Sequence, residues 1–467
     1  MVDSAVKKQV LSLFFIGIMV CGLASAGNAH CASGTSSASS ASNVSSIMWS
    51  IAWNRTYVGS DLLEVDSVIQ TVDGGFLLGG TTSTSHGEPT KIELVKVDSS
   101  GNLQWNKTYE GIGNHYSKWL IQTSDGGYAL AGEYAGSFWL AKIDEAGNML
   151  WNQTYNGAGL SWATSLTETN DGGYALTGQT NFSLTEGANS ASGNGVVWLV
   201  KTDALGNEQW NTTLGEGAVN SIIQTNDGGY VLAGSINNTP DYLLMKTNSN
   251  GDYQWSETYG NQDDDVCYSV VQTADGGYAL GGWMWLRSNG GGPNIAIVKT
   301  DALGNAQWTN CYGEGEARSM VQTSDGGFAA VGDKFIKVDA VGNEQWEKSF
   351  GESNTTNYEA YSVIQTQDGG YAIAGASWAT EGNPITYAWL AKISSTSSTP
   401  SPKPSNSPAS SIPEASSWMM FVLLTVATAL FVTIRKRTRF LRFKMPLEIV
   451  LLFLASFIIM CLVLNGT

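Results

Sequence analysis

The chain has 467 residues, more than one ordinary domain needs, and its composition excludes a disordered chain, because 54 Gly, 17 Trp and 18 Tyr accompany only 14% charged residues. Glycine and aromatic residues in these proportions favour short strands joined by tight turns over a helical bundle or a nucleotide-binding α/β fold. The net charge of −17 would repel nucleic acid, so we expect no nucleic-acid partner. Three His residues offer little material for a multi-His metal site or a His-based triad.

The N-terminal segment, residues 1–26, has the features of a secretory signal peptide. Lys7 and Lys8 precede an apolar stretch at 10–23, and Ala24-Ser25-Ala26 supplies the small residues that a signal peptidase needs. An uncleaved N-terminal anchor is the alternative. Residues 27–47 are rich in Ser and are predicted to be disordered.

An internal repeat follows, marked by the phrase Asp-Gly-Gly-aromatic. It begins at Asp73, Asp125, Asp171, Asp227, Asp275, Asp325 and Asp368, with a mean period of about 49 residues. A β-branched run precedes each phrase and an apolar run follows it. Because Asp-Gly supplies the positive φ angles of a tight turn, each phrase predicts a β-hairpin.

Two further strands are predicted in each repeat. A Gly-Asn turn separates them, and the last strand begins near the repeated Trp. Four antiparallel strands repeated seven times predict an all-β fold, a seven-bladed β-propeller, over residues 48–394. The first such Trp strand, 51–57, has no third strand before it, and the last third strand, 388–394, has no fourth strand after it. We therefore predict that these two segments pair and close the ring.

The C-terminal part predicts a membrane anchor. Residues 395–417 form a Ser/Pro-rich stalk, 418–434 an apolar segment long enough for a transmembrane helix, 435–446 a basic loop, and 447–464 a second apolar segment. By the positive-inside rule the basic loop is cytoplasmic, which places the propeller outside the cell, at the cell surface. Burial of both apolar segments as core helices is the alternative.

The pattern Lys-x-Asp-x-x-Gly-Asn-x-x-Trp, as at residues 201–210, resembles the tryptophan-docking repeat of pyrroloquinoline-quinone-like propellers. It is more similar still to the Asp-Gly-Gly-Tyr repeats of exported bacterial and archaeal surface proteins, which are not enzymes. The resemblance implies that Trp210 and its equivalents stack between blades and that Asp203 and Gly206 fix the turn. The quinone enzymes hold their cofactor with adjacent Cys residues, which this chain lacks, so no cofactor is expected.

Candidate binding residues come from the face of the disc that carries the second-to-third-strand loops and the interblade loops, which vary in length. Aromatic residues on or near this face are candidates for stacking on a glycan, with packing between blades as the alternative. They are Trp162, Trp283, Trp285, Trp378, His115 and Tyr116. Three adjacent carboxylates, Asp263, Asp264 and Asp265, are weak metal candidates, with a solvated acidic loop as the alternative.

Glycosylation sequons are frequent, and half of them belong to the Trp-Asn-x-Thr strand template. The candidates are Asn54, Asn106, Asn152, Asn181, Asn211, Asn237 and Asn354, with Asn43 in the Ser-rich segment.

Three functions remain open on this evidence. The first is a membrane-anchored binding or adhesion module without catalysis, whose partner is a glycan or an envelope protein. The second is an extracytoplasmic enzyme, quinone-dependent or acting on polysaccharide through a carboxylate pair such as Glu314 and Glu316 or Asp264 and Asp265. The third is a scaffold for envelope protein assembly. The fold does not choose among them, and we expect the first.

Overall fold

The computed structural model describes residues 48–57, 62–83, 91–109, 119–184, 191–192, 195–236, 241–261, 263–287, 291–350, 356–379 and 386–396. The predicted signal peptide, the Ser-rich segment, both apolar C-terminal segments and the basic loop lie outside these ranges. Within them, no helix is long and apolar enough to cross a membrane.

The described residues form seven antiparallel sheets, which are the blades. Blade 1 contains β2 (Leu62–Gln70), β3 (Phe76–Ser83), β4 (Lys91–Val97) and β5 (Leu103–Tyr109); blade 2 contains β6 (Trp119–Gln122), β7 (Tyr128–Tyr134), β8 (Ser137–Ile143) and β9 (Met149–Tyr155). Blade 3 contains β10 (Leu160–Glu168), β11 (Tyr174–Leu184), β12 (Ala191–Ser192), β13 (Val196–Thr202) and β14 (Glu208–Glu216); blade 4 contains β15 (Ala218–Gln224), β16 (Tyr230–Ser235), β17 (Tyr242–Thr247) and β18 (Tyr253–Tyr259). Blade 5 contains β19 (Asp265–Gln272), β20 (Tyr278–Trp285), β21 (Pro293–Thr300) and β22 (Ala306–Glu314); blade 6 contains β23 (Ala317–Gln322), β24 (Phe328–Gly332), β25 (Lys334–Val338) and β26 (Glu344–Ser349). Blade 7 contains β27 (Thr356–Gln365), β28 (Tyr371–Ala379), β29 (Thr386–Thr396) and, from the other end of the propeller, β1 (Met48–Tyr57).

The ring closes as predicted, with β1 as the outermost strand of blade 7. Ile51 pairs with Ile393 and Tyr57 with Ala388, which confirms the pairing of 51–57 with 388–394. The indole Nε1 of Trp389 also donates to Asn54 Oδ1 at 2.7 Å. Strand β29 continues to Thr396, two residues into the range predicted as stalk. The seven-bladed propeller fold is therefore confirmed.

The hydrophobic core consists of seven clusters, each shared by two neighbouring blades; one of them joins blades 7 and 1. Each of the seven clusters has one half-buried copy of the repeated Trp packed against it: Trp53, Trp105, Trp151, Trp210, Trp255, Trp308 and Trp346. The Trp ring packs against the glycine in the turn between the third and fourth strands of the next blade. At Gly251, for example, an added Cβ would lie 2.5 Å from the Trp210 ring. Tyr hydroxyls reinforce these junctions, as where Tyr259 donates to Gly304 O at 2.6 Å.

Substituting Gly251 should show how much this docking contributes. Gly251 and Gly228 belong to the same blade and share a φ of +81°, but a Cβ on Gly228 would meet only Ser249 Cβ at 3.9 Å. Gly251→Ala should therefore destabilise the protein by about 1–3 kcal/mol more than Gly228→Ala, because only the former displaces Trp210. Chemical denaturation of both variants measures the difference, and equal losses would show that backbone strain alone is responsible.

Each Asp-Gly-Gly turn is held by a buried Lys from the third strand of its own blade. The seven pairs are Lys96–Asp73, Lys142–Asp125, Lys201–Asp171, Lys246–Asp227, Lys299–Asp275, Lys337–Asp325 and Lys392–Asp368, with N–O distances of 2.8–3.0 Å. The same Asp accepts from a Thr hydroxyl and from the second Gly amide, as in Asp275 with Thr273 and Gly277. These contacts support the interpretation of the phrase as turn chemistry.

Candidate functional site

The face opposite the Asp-Gly-Gly turns, here called the loop face, carries the loops that vary. The loop before Lys334 contains one residue, Asp333. In blade 3, β11 continues past Thr180 to Leu184 and pairs with β12. The strand β20 likewise continues to Trp285 before the chain returns at Pro293. The loop-face ends of blades 3 and 5 are therefore extended by strands.

A β-bulge occurs at the same place in the innermost strand of six blades. The residue in the bulge, seven positions before the Asp of the turn, is Asp66, Thr164, Asn220, Tyr268, Arg318 or Tyr361. Bulges turn a side chain away from the regular alternation of a strand. Several of these side chains reach the next innermost strand, as where Asn220 Nδ2 donates to Cys267 O at 2.8 Å. The bulges thus present six equivalent positions around the propeller axis.

In blades 6 and 7 these positions assemble a charged set around Arg318. Its Nη2 lies 2.8 Å from Glu359 Oε1 and 3.5 Å from Glu316 Oε2. Its guanidinium carbon lies 5.0 Å from the centre of the Tyr361 ring, and the Tyr361 hydroxyl donates to Glu359 Oε2 at 2.8 Å. The Arg318, Glu316 and Glu359 side chains are 37%, 26% and 25% exposed, so a ligand at the loop face can reach them.

Blade 5 adds aromatic rings to this set. Trp283 Nε1 donates to the Tyr268 hydroxyl at 3.3 Å, and that hydroxyl lies 3.5 Å from Glu316 Oε2. Trp285 follows edge-on, with its ring centre 6.5 Å from that of Trp283. We call Tyr268, Trp283, Glu316, Arg318, Glu359 and Tyr361 the channel-mouth cluster.

Burial and neighbouring charges set the electrostatics of this cluster. Burial raises the pKa of Glu316; Arg318 lowers it, and Asp333 and Glu359 raise it further. For Arg318, burial is the largest effect and lowers the pKa, but Glu359 and Glu316 outweigh it and the pKa is raised overall. Arg318 Nε is buried and has no hydrogen-bond partner within the described ranges. The charge of the Glu316 carboxylate is therefore only partly compensated within the cluster.

The three predicted metal candidates point to different partners. Asp265 is fully buried and accepts from the amides of Asn261 and Trp285, both at 2.9 Å. Burial raises the pKa of Asp265 to about 7. Asp263 forms an ion pair with Arg287, and Asp264 is exposed. Among the residues that the structure describes, no group of three His, Cys, Asp or Glu side chains could hold a metal ion.

The other predicted residues are dispersed. Trp162 lies on β10 opposite Gln179, and Trp378 on β28 opposite Asn357, both half-buried. His115 and Tyr116 lie outside the described residues. Of the carboxylate pairs considered for catalysis, Glu314 is exposed on the outermost strand of blade 5, whereas Glu316 belongs to the channel-mouth cluster.

Four predicted sequons lie on outermost strands and are exposed: Asn54, Asn106, Asn152 and Asn211. Asn181 is exposed as well, with a φ of +72°. Asn43, Asn237 and Asn354 lie outside the described residues.

The sequence predicted Trp283 as a candidate binding residue, but it did not single out Tyr268, Arg318, Glu359 or Tyr361. A signal for them exists in the repeats. Aligned on the Asp of the turn, the seventh residue before it changes from blade to blade, whereas the next residue is Ser in six of the seven repeats. A variable position beside a constant one indicates a structural scaffold that carries different side chains.

Comparisons with known proteins give fold similarity only. No family model and no curated protein matches the chain. Solved structures that resemble it include Sqt1 from Chaetomium thermophilum, with 13% identity, a TM-score of 0.45, and coverage of 70% of this chain and 84% of that one. The Dos1 propeller has 12% identity, a TM-score of 0.46, and coverage of 71% and 78%. A protein of unknown function from Dyadobacter fermentans has 11% identity, a TM-score of 0.44, and coverage of 74% and 99%. Likenesses at this level carry no argument about function.

Proposed function

We propose that the protein is an exported, membrane-anchored and non-catalytic binding module whose channel-mouth cluster recognises a glycan. The observation that carries the proposal is the convergence of aromatic rings with a Glu–Arg–Glu set at the loop-face end of three innermost strands. Export and anchoring rest on the signal-like N-terminus and on the stalk, apolar segments and basic loop near the C-terminus.

The chemistry of the cluster suits a sugar. A sugar hydroxyl donates and accepts at once, so it can donate to Glu316 or Glu359 while accepting from the partly exposed guanidinium of Arg318. The apolar face of a sugar ring can pack on the Trp283 and Tyr268 rings. Together these groups offer both the polar and the apolar contacts that a pyranose needs.

A second candidate, hydrolysis of a polysaccharide, is favoured by one observation. Glu316 and Glu359 both contact Arg318, and the pKa of Glu316 is raised by burial, as a general acid requires. Product analysis after incubation with the bound glycan separates the two functions, because a binding module releases no shortened sugar. A role as a scaffold for envelope proteins would appear instead as capture of a neighbouring protein through the loop face.

A glycan array with the purified full chain tests the proposal, followed by Trp283→Ala on the best ligand. Loss of the ring should weaken binding by about 1–3 kcal/mol, a range taken from base–aromatic stacking. Trp162→Ala in blade 3 is the matched comparison, because Trp162 is half-buried like Trp283. Failure of every glycan to bind would refute the proposal. Equal losses of affinity in both variants would mean that the binding site is not confined to the channel-mouth cluster.

A further inference from the structure

We propose that the channel-mouth cluster selects a sugar with a free, positively charged amine, and that Glu316 is the partner of this amine. The inference rests on the proposed glycan-binding function and names the ligand class of the same site. It depends on the balance of charge, on the spacing around Glu316, and on the rings beside it.

Carboxylates outnumber cations around the site. Glu316 and Glu359 flank Arg318, and Asp333 lies directly behind them, where its Oδ2 accepts from the Glu316 amide at 2.9 Å. The neighbouring cation, Lys334, is directed to Glu347 on the outermost strand of blade 6, at 3.4 Å. Three carboxylates with one guanidinium leave an excess of negative charge that favours a cationic ligand.

The spacing around Arg318 is uneven and leaves Glu316 the less compensated of its two partners. Arg318 lies at 2.8 Å from Glu359 but at 3.5 Å from Glu316, and the Tyr268 hydroxyl is also 3.5 Å from the same Glu316 oxygen. Distances of 3.5 Å are long for hydrogen bonds. An ammonium group that donates to Glu316 would supply the short, charge-assisted bond that these two neighbours do not.

Two features favour an amino sugar over a simple amine. The Tyr268 hydroxyl lies 3.5 Å from Glu316 and Trp283 contacts that hydroxyl in turn, so a sugar whose ammonium binds Glu316 can pack its ring on these aromatic side chains. The guanidinium of Arg318, whose Nη2 lies 3.5 Å from Glu316 Oε2 and whose side chain is 37% exposed, can donate to a hydroxyl. A hexosamine carries an amine and a hydroxyl on adjacent carbons, which matches a carboxylate beside a guanidinium.

The inference can be tested by titrating the full chain with two tetrasaccharides, one built of glucosamine and the other of N-acetylglucosamine. The titrations are carried out in mildly acidic buffer, where a sugar amine is largely protonated. The glucosamine oligomer should bind roughly tenfold more tightly, as expected for one charge-assisted hydrogen bond. Glu316→Gln should remove this preference, because it weakens binding of the glucosamine oligomer more than binding of the acetylated oligomer. Glu314→Gln, the same change at an exposed position two residues away, should retain it.

The outcomes separate this inference from the function on which it rests. Equal affinity of the original chain for the two oligomers would overturn the amine selectivity and leave glycan binding intact. Failure of both oligomers to bind, on a chain that binds a neutral glycan on the array, would likewise overturn it. Failure of every glycan would overturn both proposals. If tetralysine bound as tightly as the glucosamine oligomer and with the same dependence on Glu316, the site would recognise positive charge and not a sugar.

Discussion

Deleting residues 45–58 should destabilise the whole propeller and not one blade alone. The deletion removes β1, which pairs with β29 as the outermost strand of blade 7. It also removes Trp53, which packs against Gly101 of blade 1, and Tyr57, whose hydroxyl donates to Gly101 O at 2.9 Å. Loss of one large buried aromatic side chain alone costs about 3–5 kcal/mol, a large part of the 5–15 kcal/mol that stabilises a typical domain. We expect the melting temperature to fall by more than about 10 °C.

Thermal unfolding followed by near-UV circular dichroism measures this effect. Arg55→Ala, an exposed change on the same strand, is the control and should alter stability by less than about 0.5 kcal/mol. A synthetic peptide with the sequence of residues 48–57 should restore part of the lost stability when added to the deleted chain. An unchanged melting temperature after the deletion would contradict closure of the ring by β1.

This closure was predictable because it follows from a mismatch between repeats. Residues 51–57 are a fourth strand without a third, and 388–394 a third strand without a fourth, so the repeat pattern alone predicts their pairing and orientation. The docking of Trp on the next blade was implied by the resemblance to tryptophan-docking repeats, whose Gly and Trp, at the spacing of Gly206 and Trp210, recur in six repeats. Features that every repeat shares can be inferred from one chain.

The channel-mouth cluster could not be predicted in this way, because its members differ from repeat to repeat. Tyr268, Arg318 and Tyr361 occupy equivalent bulges, and only the ring arrangement brings them beside Glu316 and Glu359 of neighbouring blades. The sequence also does not predict in which directions the side chains of Asp263, Asp264 and Asp265 point. Their adjacency in sequence suggested one site, but Asp265 is buried within the sheet and Asp264 is exposed.

The Lys–Asp pairs carry the second large expected effect, since the two members differ in exposure. In blade 5 the Lys299 side chain is 6% exposed and that of Asp275 53%. Asp275→Asn keeps the shape of the turn but removes the negative charge beside the buried Lys299 ammonium, which is then left with neutral acceptors such as Gln307 and the Thr300 carbonyl. Removing one partner of a buried pair costs about 3–5 kcal/mol; because Asp275 is half in water, we expect about 2 kcal/mol. Lys299→Met should cost less, because an uncompensated Asp275 can still be hydrated.

The cost of Asp275→Asn should also depend on pH, and the direction follows from the pKa of Asp275. Burial is the largest single effect and would raise this pKa, but the hydrogen bonds from Thr273, Lys299 and the Gly277 amide together lower it from 3.8 to about 2. A carboxyl group whose pKa is lower in the folded state contributes its full stability above about pH 4 and loses it as the pH falls through 2. Denaturation at pH 7 and near pH 2 should therefore show the original chain and Asp275→Asn differing at neutral pH and converging in acid. Asp264→Asn, at an exposed position, should match the original chain at both values. A difference in the free energy of unfolding that persisted undiminished in acid would contradict a stabilising effect of the Asp275 charge. The pKa values of Asp73 and Asp368 are also about 2, so the same comparison at either residue should give the same result.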